Sequence, residues 1–143
     1  MGGTGHGVGR GVRALRLLLD THVVLWLASD SECLGPETRA LLGDASERHV
    51  SAASAYEIAQ KVRLGRLPGG AQVLDGWPRL LRNVQATELP LSVAHMARAG
   101  AMTWAHRDPF DRMLVAQAQL EALSLVTDDE AIRSFGDVRT CWG

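Results

Sequence analysis

The sequence predicts one α/β domain with a small, mainly parallel sheet that is covered by helices on both faces. Short apolar segments alternate with helical patterns along the chain, and this alternation is typical of parallel sheets. The first segment, residues 15–19, is apolar apart from Arg16 and ends at Asp20, which indicates a strand buried on both faces. Hydrophobic residues make up 46% of the chain and charged residues 22%, so the chain can bury a core of ordinary size.

The segments that follow the first strand continue the alternation. Residues 22–28 are mostly apolar and come directly after a strand end, which favours a helix packed back onto the sheet. Pro36 suits the first turn of a helix over residues 36–44. Residues 48–51 are short enough to form the second strand.

A helix over residues 54–64 is predicted to follow the second strand. Ser54 can cap its first turn, and Glu57 three residues later completes a capping box. Gly65 can end the helix. The apolar residues at the spacing of a core-facing stripe are Ala55, Ile58, Ala59 and Val62.

The second half of the chain holds further helical patterns and three more strands. The helical segments are 71–84, interrupted at Pro78, then 93–102, 110–122 and a short stretch within 128–135. The strands are 87–91, 123–127 and an edge strand at 138–142. Residues 110–122 give the clearest helix, and the polar residues before them predict a surface loop.

Bulk properties argue against several classes of protein. A net charge of -1 argues against a domain that coats nucleic acid by bulk electrostatics. Cys33 and Cys141 stand far apart, which indicates neither a zinc site nor a disulfide framework and fits a reducing cytoplasm. No apolar run reaches the ~20 residues of a membrane span, so we expect a cytosolic protein.

The glycine-rich beginning of the chain is predicted to lie outside the folded domain. Residues 1–13 hold six glycines and almost nothing apolar, which indicates a flexible leader, such as an expression remnant or a product of an upstream start codon. Their glycine pattern differs from GxGxxG and no strand precedes it, so a dinucleotide site is not expected. The domain is predicted to span residues 14–143.

Acidic residues stand where the predicted strands end or the following helices begin. In open parallel sheets, ligands bind beyond the carboxyl ends of the strands, because the loops converge there. The acids at such places are Asp20, Glu57, Asp111, Asp128 and Asp129. Carboxylates held together repel each other unless a cation is bound, and Mg²⁺ or Mn²⁺ is the natural ion for oxygen ligands.

Two of these acids also have an ordinary structural interpretation that involves their own helix. Asp20 can cap the helix that begins near residue 22. Glu57 stands four residues before Lys61, so a surface ion pair on a solvated helix face explains it nearly as well.

The other acids can be explained by helix starts. Asp111 can complement the dipole of the long helix, and Asp108 can cap it. Asp111 is nevertheless the end of an apolar stripe made by Leu114, Val115 and Ala118, so its carboxylate needs a partner. Residues 128–130 can form a capped, acidic helix start, and only one of them needs to be a ligand.

Histidines and tryptophans do not decide the function. The histidines of the predicted domain lie in separate segments and do not assemble into a site by spacing; they are His22, His49, His95 and His106. The tryptophans are expected in the core or an interface rather than as base-stacking platforms.

Four blocks of sequence follow one another along the chain, namely LLLDTH at residues 17–22, SAASAYEIA at 51–59, HRDPFDRMLVAQA at 106–118 and LVTDD at 125–129. Taken together and in this order, they resemble the PIN-domain ribonucleases, and specifically the toxin half of VapBC-type toxin–antitoxin pairs. The resemblance implies a three-layer α/β/α sandwich. It also implies an Mg²⁺- or Mn²⁺-dependent endoribonuclease that hydrolyses RNA with metal-activated water.

The same resemblance implies roles for particular residues. Asp20, Glu57 and Asp111 correspond to the main metal-binding acids, and Asp129 fits the fourth position with Asp128 as its rival. Ser51 or Thr127 is expected to orient water or a carboxylate. Further supporting candidates are Asp108 and Arg112.

Partners follow from the resemblance as well. It implies a homodimer and a VapB-type antitoxin that covers the site in a hetero-oligomer and often inserts a basic side chain. RNA affinity would rest on a few local arginines, namely Arg63, Arg66, Arg107 and Arg112.

Two alternatives stay open from the sequence. One is a PIN-like protein that binds without turnover. The other is an aspartate-based phosphatase or phosphoacceptor domain, although Asp20 lacks a DxD partner because Thr21 and His22 follow it.

Overall fold

The structure is a computed structural model that describes residues 15–143, so the predicted leader at 1–13 lies outside the described residues. The strands in this part of the chain are β1 (Arg16–Leu19), β2 (Glu47–Ser51), β3 (Thr87–Leu89), β4 (Ser124–Val126) and β5 (Thr140–Cys141). The helices there are α1 (Thr21–Ala28), α2 (Pro36–Asp44), α3 (Ala52–Arg63), α4 (Gly70–Asp75), α5 (Trp77–Asn83), α6 (Val93–Ala101), α7 (Pro109–Glu121) and α8 (Glu130–Arg133).

The five described strands form one parallel sheet in the order β3-β2-β1-β4-β5. Leu19 at the end of β1 pairs with Val50 on one side and with Val126 on the other. Because all strands run in the same direction, the residues that follow β1, β2 and β4 emerge side by side at one edge of the sheet. That edge is where the predicted acids are expected.

Two hydrophobic clusters cover the two faces of the sheet. Leu17 and Leu19 belong to the cluster that includes residues of α1 and α2, whereas Leu18 belongs to the cluster built on α7 and α8. This alternation follows from the period of two in a β-strand, and all three leucines are fully buried. The predicted three-layer α/β/α arrangement is confirmed.

The start of α3 differs from the prediction. The helix begins at Ala52 and is capped by Ser51, whose side chain accepts a hydrogen bond from the backbone N–H of Ala53. The predicted cap at Ser54 is therefore wrong; its hydroxyl lies 2.8 Å from that of Thr21 in the interior. The turn after the helix does use Gly65, which adopts φ +70, a left-handed conformation that favours glycine.

The buried face of α3 also differs from the predicted apolar stripe. Ala59 is exposed, and the buried positions include Ser54, Glu57 and Ile58. Polar side chains therefore occupy part of the inward face of this helix. Apolar spacing alone could not reveal this, because the interior that they face is itself polar.

The other differences are one divided helix and shorter strands, since β3, β4 and β5 are each shorter than predicted. The predicted helix at 71–84 is divided into α4 and α5, and Pro78 lies in the first turn of α5, where a missing N–H costs nothing. The tryptophans pack against the two hydrophobic clusters, as predicted.

No helix among residues 15–143 combines the length and apolar character that crossing a bilayer requires.

Candidate active site

Asp20 lies directly after β1 and is 3% exposed. The hydroxyl of Thr127 donates a hydrogen bond of 2.6 Å to its Oδ2. Asp20 occupies the N-cap position of α1, but its side chain makes no capping hydrogen bond, so capping does not explain its carboxylate. Burial raises the pKa of Asp20 above its ordinary value, and the nearby charge of Glu57 raises it further.

Thr127 connects Asp20 to the acid that follows β4. Its hydroxyl oxygen also accepts a hydrogen bond of 3.0 Å from the backbone N–H of Asp129. Asp129 in turn caps α8, since its Oδ1 accepts hydrogen bonds from the N–H groups of Ala131 and Ile132. Asp129 is half-buried, whereas Asp128 is exposed. The charge of Asp129 acts on Asp111, which favours Asp129 over the exposed Asp128 as the acid nearer to the others.

Glu57 projects from α3 and is 8% exposed. Its Oε2 lies 3.3 Å from Nζ of Lys61, so the predicted ion pair exists. A solvated helix face is nevertheless the wrong description, because the carboxylate is buried and its charge acts on Asp20. The ion pair sits at the border of the acidic interior.

Asp111 stands in the first turn of α7 and is 9% exposed. Its Oδ2 accepts a hydrogen bond of 2.7 Å from Nε2 of His106. Burial raises the pKa of Asp111 to about 6, and the negative charges of Asp108, Asp20 and Asp129 contribute to the rise. Asp111 therefore shares one electrostatic environment with the acids after β1 and β4.

The charge of Glu57 acts on Asp20, and the charges of Asp20 and Asp129 act on Asp111. Acids from two strand ends and two helices therefore form one cluster. Burial and mutual repulsion oppose the ionised state of Asp20 and Asp111, and a cation would relieve both effects. Among the described residues, His106, Asp108 and Asp111 also offer ligand atoms within 4.8 Å of one another. The donor set is dominated by carboxylate oxygens, which fits a hard divalent cation such as Mg²⁺ or Mn²⁺.

The family model described as "PIN domain" matches residues 17–138. The chain belongs to the PIN-domain family. This membership gives no support to the alternative of an aspartate-based phosphatase or phosphoacceptor domain. The matched residues include all four predicted metal-binding acids.

A curated relative of this PIN domain is Ribonuclease VapC22 of Mycobacterium tuberculosis (strain ATCC 25618 / H37Rv). The two sequences are 30% identical over 128 residues, which cover 88% of this chain and 98% of the relative. The similarity therefore extends over the whole domain and not over the acidic blocks alone.

Several solved structures share the fold of this chain. The structure of VapBC2 from Rickettsia felis bound to a promoter DNA fragment matches with a TM-score of 0.66 and 12% identity, over 90% of this chain and 100% of that chain. DNA-bound VapBC from Salmonella typhimurium matches with a TM-score of 0.63 and 16% identity, over 89% and 97%. FitAcB from Neisseria gonorrhoeae matches with a TM-score of 0.60 and 22% identity, over 87% of this chain and 95% of that chain. At these identities the likeness concerns the fold.

The supporting candidates of this PIN domain hold backbone rather than pointing freely into the site. Ser51 caps α3, which carries Glu57. Asp108 caps α7 through Oδ1, which accepts hydrogen bonds from the N–H groups of Phe110 and Asp111. Both caps fix the helix turns that present the acids.

Arg112 has a different role from the one predicted for RNA contact. Its guanidinium donates to the backbone carbonyls of Ala99, Met102, Trp104 and His106. These bonds occupy four of the five N–H groups of an arginine, so the prediction that Arg112 contacts phosphate is wrong. The other predicted arginines, Arg63, Arg66 and Arg107, are exposed.

Sequence reasoning missed two histidines at the edge of the cluster. His106 was assigned no role, although it contacts Asp111. His22 is exposed, and its charge lowers the pKa of Asp20, against the larger effect of burial. The available signal was that both residues stand within the motif blocks that carry the acids.

Proposed function

We propose that this PIN domain is an Mg²⁺- or Mn²⁺-dependent endoribonuclease and the toxin of a type II toxin–antitoxin pair. The observation that carries the proposal is the buried cluster of Asp20, Glu57, Asp111 and Asp129, in which burial and like charge oppose ionisation. The relative with similarity over 98% of its length is named a ribonuclease, which supports RNA as the substrate.

Each acid has a distinct place in the proposed site. Asp20, Glu57 and Asp111 would hold the cation, and Asp129 would act as the fourth acid. A bound Mg²⁺ or Mn²⁺ supplies a lowered pKa for water and neutralises charge that develops on the phosphodiester. Thr127 holds Asp20 and the backbone of Asp129 in a fixed relation through its two hydrogen bonds.

Substrate binding would use local positive charge, because the chain as a whole carries a net charge of -1. Arg63 and Arg66 are exposed at the end of α3 and just beyond it, and Arg107 is exposed in the loop before α7. We infer that these side chains contact RNA phosphates. Binding of RNA should therefore weaken with increasing salt.

The proposed partners are a second copy of the chain and a VapB-type antitoxin. Structures of the same fold include a toxin–antitoxin complex from Klebsiella pneumoniae and VapBC proteins bound to DNA. The pKa values of Asp20 and Asp111 are raised by burial and nearby negative charge, so a basic side chain would relieve the cluster as a metal ion would. An antitoxin that inserts such a side chain would block the site and neutralise it at the same time.

Cleavage of RNA by the purified protein, followed by sequencing of the new RNA ends, tests the proposal. We expect cleavage with Mg²⁺ or Mn²⁺ that stops with a chelator and falls at least ~100-fold in Asp20→Asn and in Asp111→Asn. Asp75→Asn is the matched control, because Asp75 is an exposed carboxylate at the end of α4.

The result that would contradict the proposal is full activity in both site variants. A folded protein that does not bind metal and does not cleave RNA would instead support a PIN-like binding protein without turnover. Calorimetry of the wild type shows directly whether Mn²⁺ binds.

A further inference from the structure

A histidine outside the acid set makes a direct contact with one of the acids. Nε2 of His106 lies 2.7 Å from Oδ2 of Asp111, and the imidazole is 28% exposed. The other carboxylate oxygen of Asp111, Oδ1, accepts no hydrogen bond from residues 15–143. One oxygen of this acid is therefore committed to His106, and the other is available to a ligand.

The ring of His106 is supported by an aromatic stack. Its centroid lies 4.8 Å from that of Trp104, and Trp104 stacks on Phe135 with centroids 4.4 Å apart. Trp104 and Phe135 both pack against the hydrophobic cluster formed by α7 and α8. The imidazole thus rests on side chains that the core holds in place.

The backbone that carries His106 is also fastened to the helix of Asp111. Nη1 of Arg112 donates to the carbonyls of Trp104 and His106, at 2.8 and 2.9 Å, and Nε donates to the carbonyl of Ala99 at 2.9 Å. Arg112 directly follows Asp111 in α7. His106 is therefore held to α7 twice, by its side chain on Asp111 and by its backbone carbonyl on Arg112.

We propose that His106 is a positioning residue that holds Oδ2 of Asp111 and leaves Oδ1 as the oxygen presented to the cation. This inference rests on the proposed metal-dependent function and goes beyond it by assigning a supporting residue that sets metal affinity. A carboxylate beside other negative charges would otherwise rotate away from them. Removing a hydrogen-bond partner of this kind costs about 10- to 100-fold in metal affinity.

The test compares two substitutions of similar size that differ in their ability to donate a hydrogen bond. His106→Gln keeps an N–H donor near the position of Nε2, and His106→Leu removes it. We expect Mn²⁺ titrations followed by electron paramagnetic resonance to give about 10- to 100-fold weaker binding in His106→Leu, and near wild-type binding in His106→Gln.

A matched control comes from another histidine–carboxylate contact. Nε2 of His49 lies 2.9 Å from Oε1 of Glu47 in β2, away from the acids, and His49→Leu should leave Mn²⁺ affinity unchanged. Equal Mn²⁺ affinity in wild type, His106→Gln and His106→Leu would overturn the inference. If His106→Leu fails to fold, as judged by near-ultraviolet circular dichroism, a large loss of affinity in folded His106→Gln would also overturn it.

A spectroscopic measurement separates positioning from direct ligation. Pulsed electron paramagnetic resonance of the Mn²⁺ complex detects coupling to a coordinated ¹⁴N nucleus. We expect no histidine nitrogen coupling in the wild type, and its presence, lost in His106→Leu, would overturn the positioning role.

Failure of the proposed function gives a different pattern. If Asp20→Asn and Asp111→Asn both bind Mn²⁺ as tightly as the wild type, the acids are not the metal site and the proposed function fails. If those variants lose Mn²⁺ but the His106 variants do not, the positioning role alone is wrong.

Discussion

Replacing Asp111 by asparagine should stabilise the metal-free protein while it abolishes activity. Burial raises the pKa of Asp111 from 3.8 to about 6, so the folded state binds a proton more tightly than the unfolded state between these values. The free energy of unfolding therefore falls as the pH rises from about 4 to about 6, and the full penalty is present above that range. Asparagine keeps an oxygen that can accept the hydrogen bond from His106 but carries no charge.

The size of this effect follows from the two pKa values. The difference between 3.8 and about 6 corresponds to ~3 kcal/mol at neutral pH. About half of that penalty remains at pH 5, and little remains at pH 4. For a domain of this size, 1 kcal/mol shifts the melting temperature by ~3 °C, so the variant should melt ~10 °C higher near pH 8.

Thermal unfolding in chelator, measured by circular dichroism from about pH 5 to about pH 8, tests this expectation. The stabilisation by Asp111→Asn should grow with pH, and Asp75→Asn should follow the wild type throughout. Saturating Mn²⁺ should raise the melting temperature of the wild type more than that of the variant. An Asp111→Asn protein that is less stable than the wild type near pH 8, or a difference that does not change with pH, would refute the reasoning.

Three further predictions concern the residues around the acids. Thr127→Val removes the donor to Asp20 and the acceptor for the N–H of Asp129, so RNA cleavage should fall ~10- to 100-fold. Thr127→Ser keeps the hydroxyl and should retain most of the activity, and an equal loss in both variants would contradict this prediction. Asp129→Asn should reduce cleavage ~10-fold or more and Asp128→Asn less than ~2-fold in the same assay, and the reverse order would make Asp128 the fourth acid. Arg112→Lys loses most of the hydrogen bonds to backbone carbonyls, so urea unfolding should show a free energy of unfolding lower by ~2 kcal/mol. An unchanged free energy of unfolding would show that these hydrogen bonds contribute little to stability.

The positions of the strands and of most helices could be predicted from local sequence. Residues 15–19 gave a buried strand and 36–44 a helix whose bounds agree with α2, because apolar runs and a proline in the first turn act within a few residues. The placement of acids after strands then predicted their convergence. This step worked because the carboxyl ends of parallel strands meet at one edge regardless of what the side chains do there.

Local sequence was less informative where two neighbouring residues could serve the same purpose. Ser51 and Ser54 could both cap α3, and Asp128 and Asp129 could both complete the acid set. The structure shows that Ser51 caps α3, because β2 ends there. It also shows that Asp129 bonds the hydroxyl of Thr127 and caps α8, which supports Asp129 as the proposed fourth acid. Both decisions depend on the three-dimensional position of the chain.

The sequence by itself determined the α/β class, the order of the elements and the set of acids proposed for the site. Only the tertiary structure decided how those acids are held. Thr127 bonds Asp20 across 107 positions of the chain, and Arg112 fastens a loop whose residues show no periodic relation to it. The pKa of Asp111 rises because burial and the charges of distant residues act on it together. Such contacts depend on where the folded chain places each side chain, so periodicity and spacing along the sequence do not reveal them.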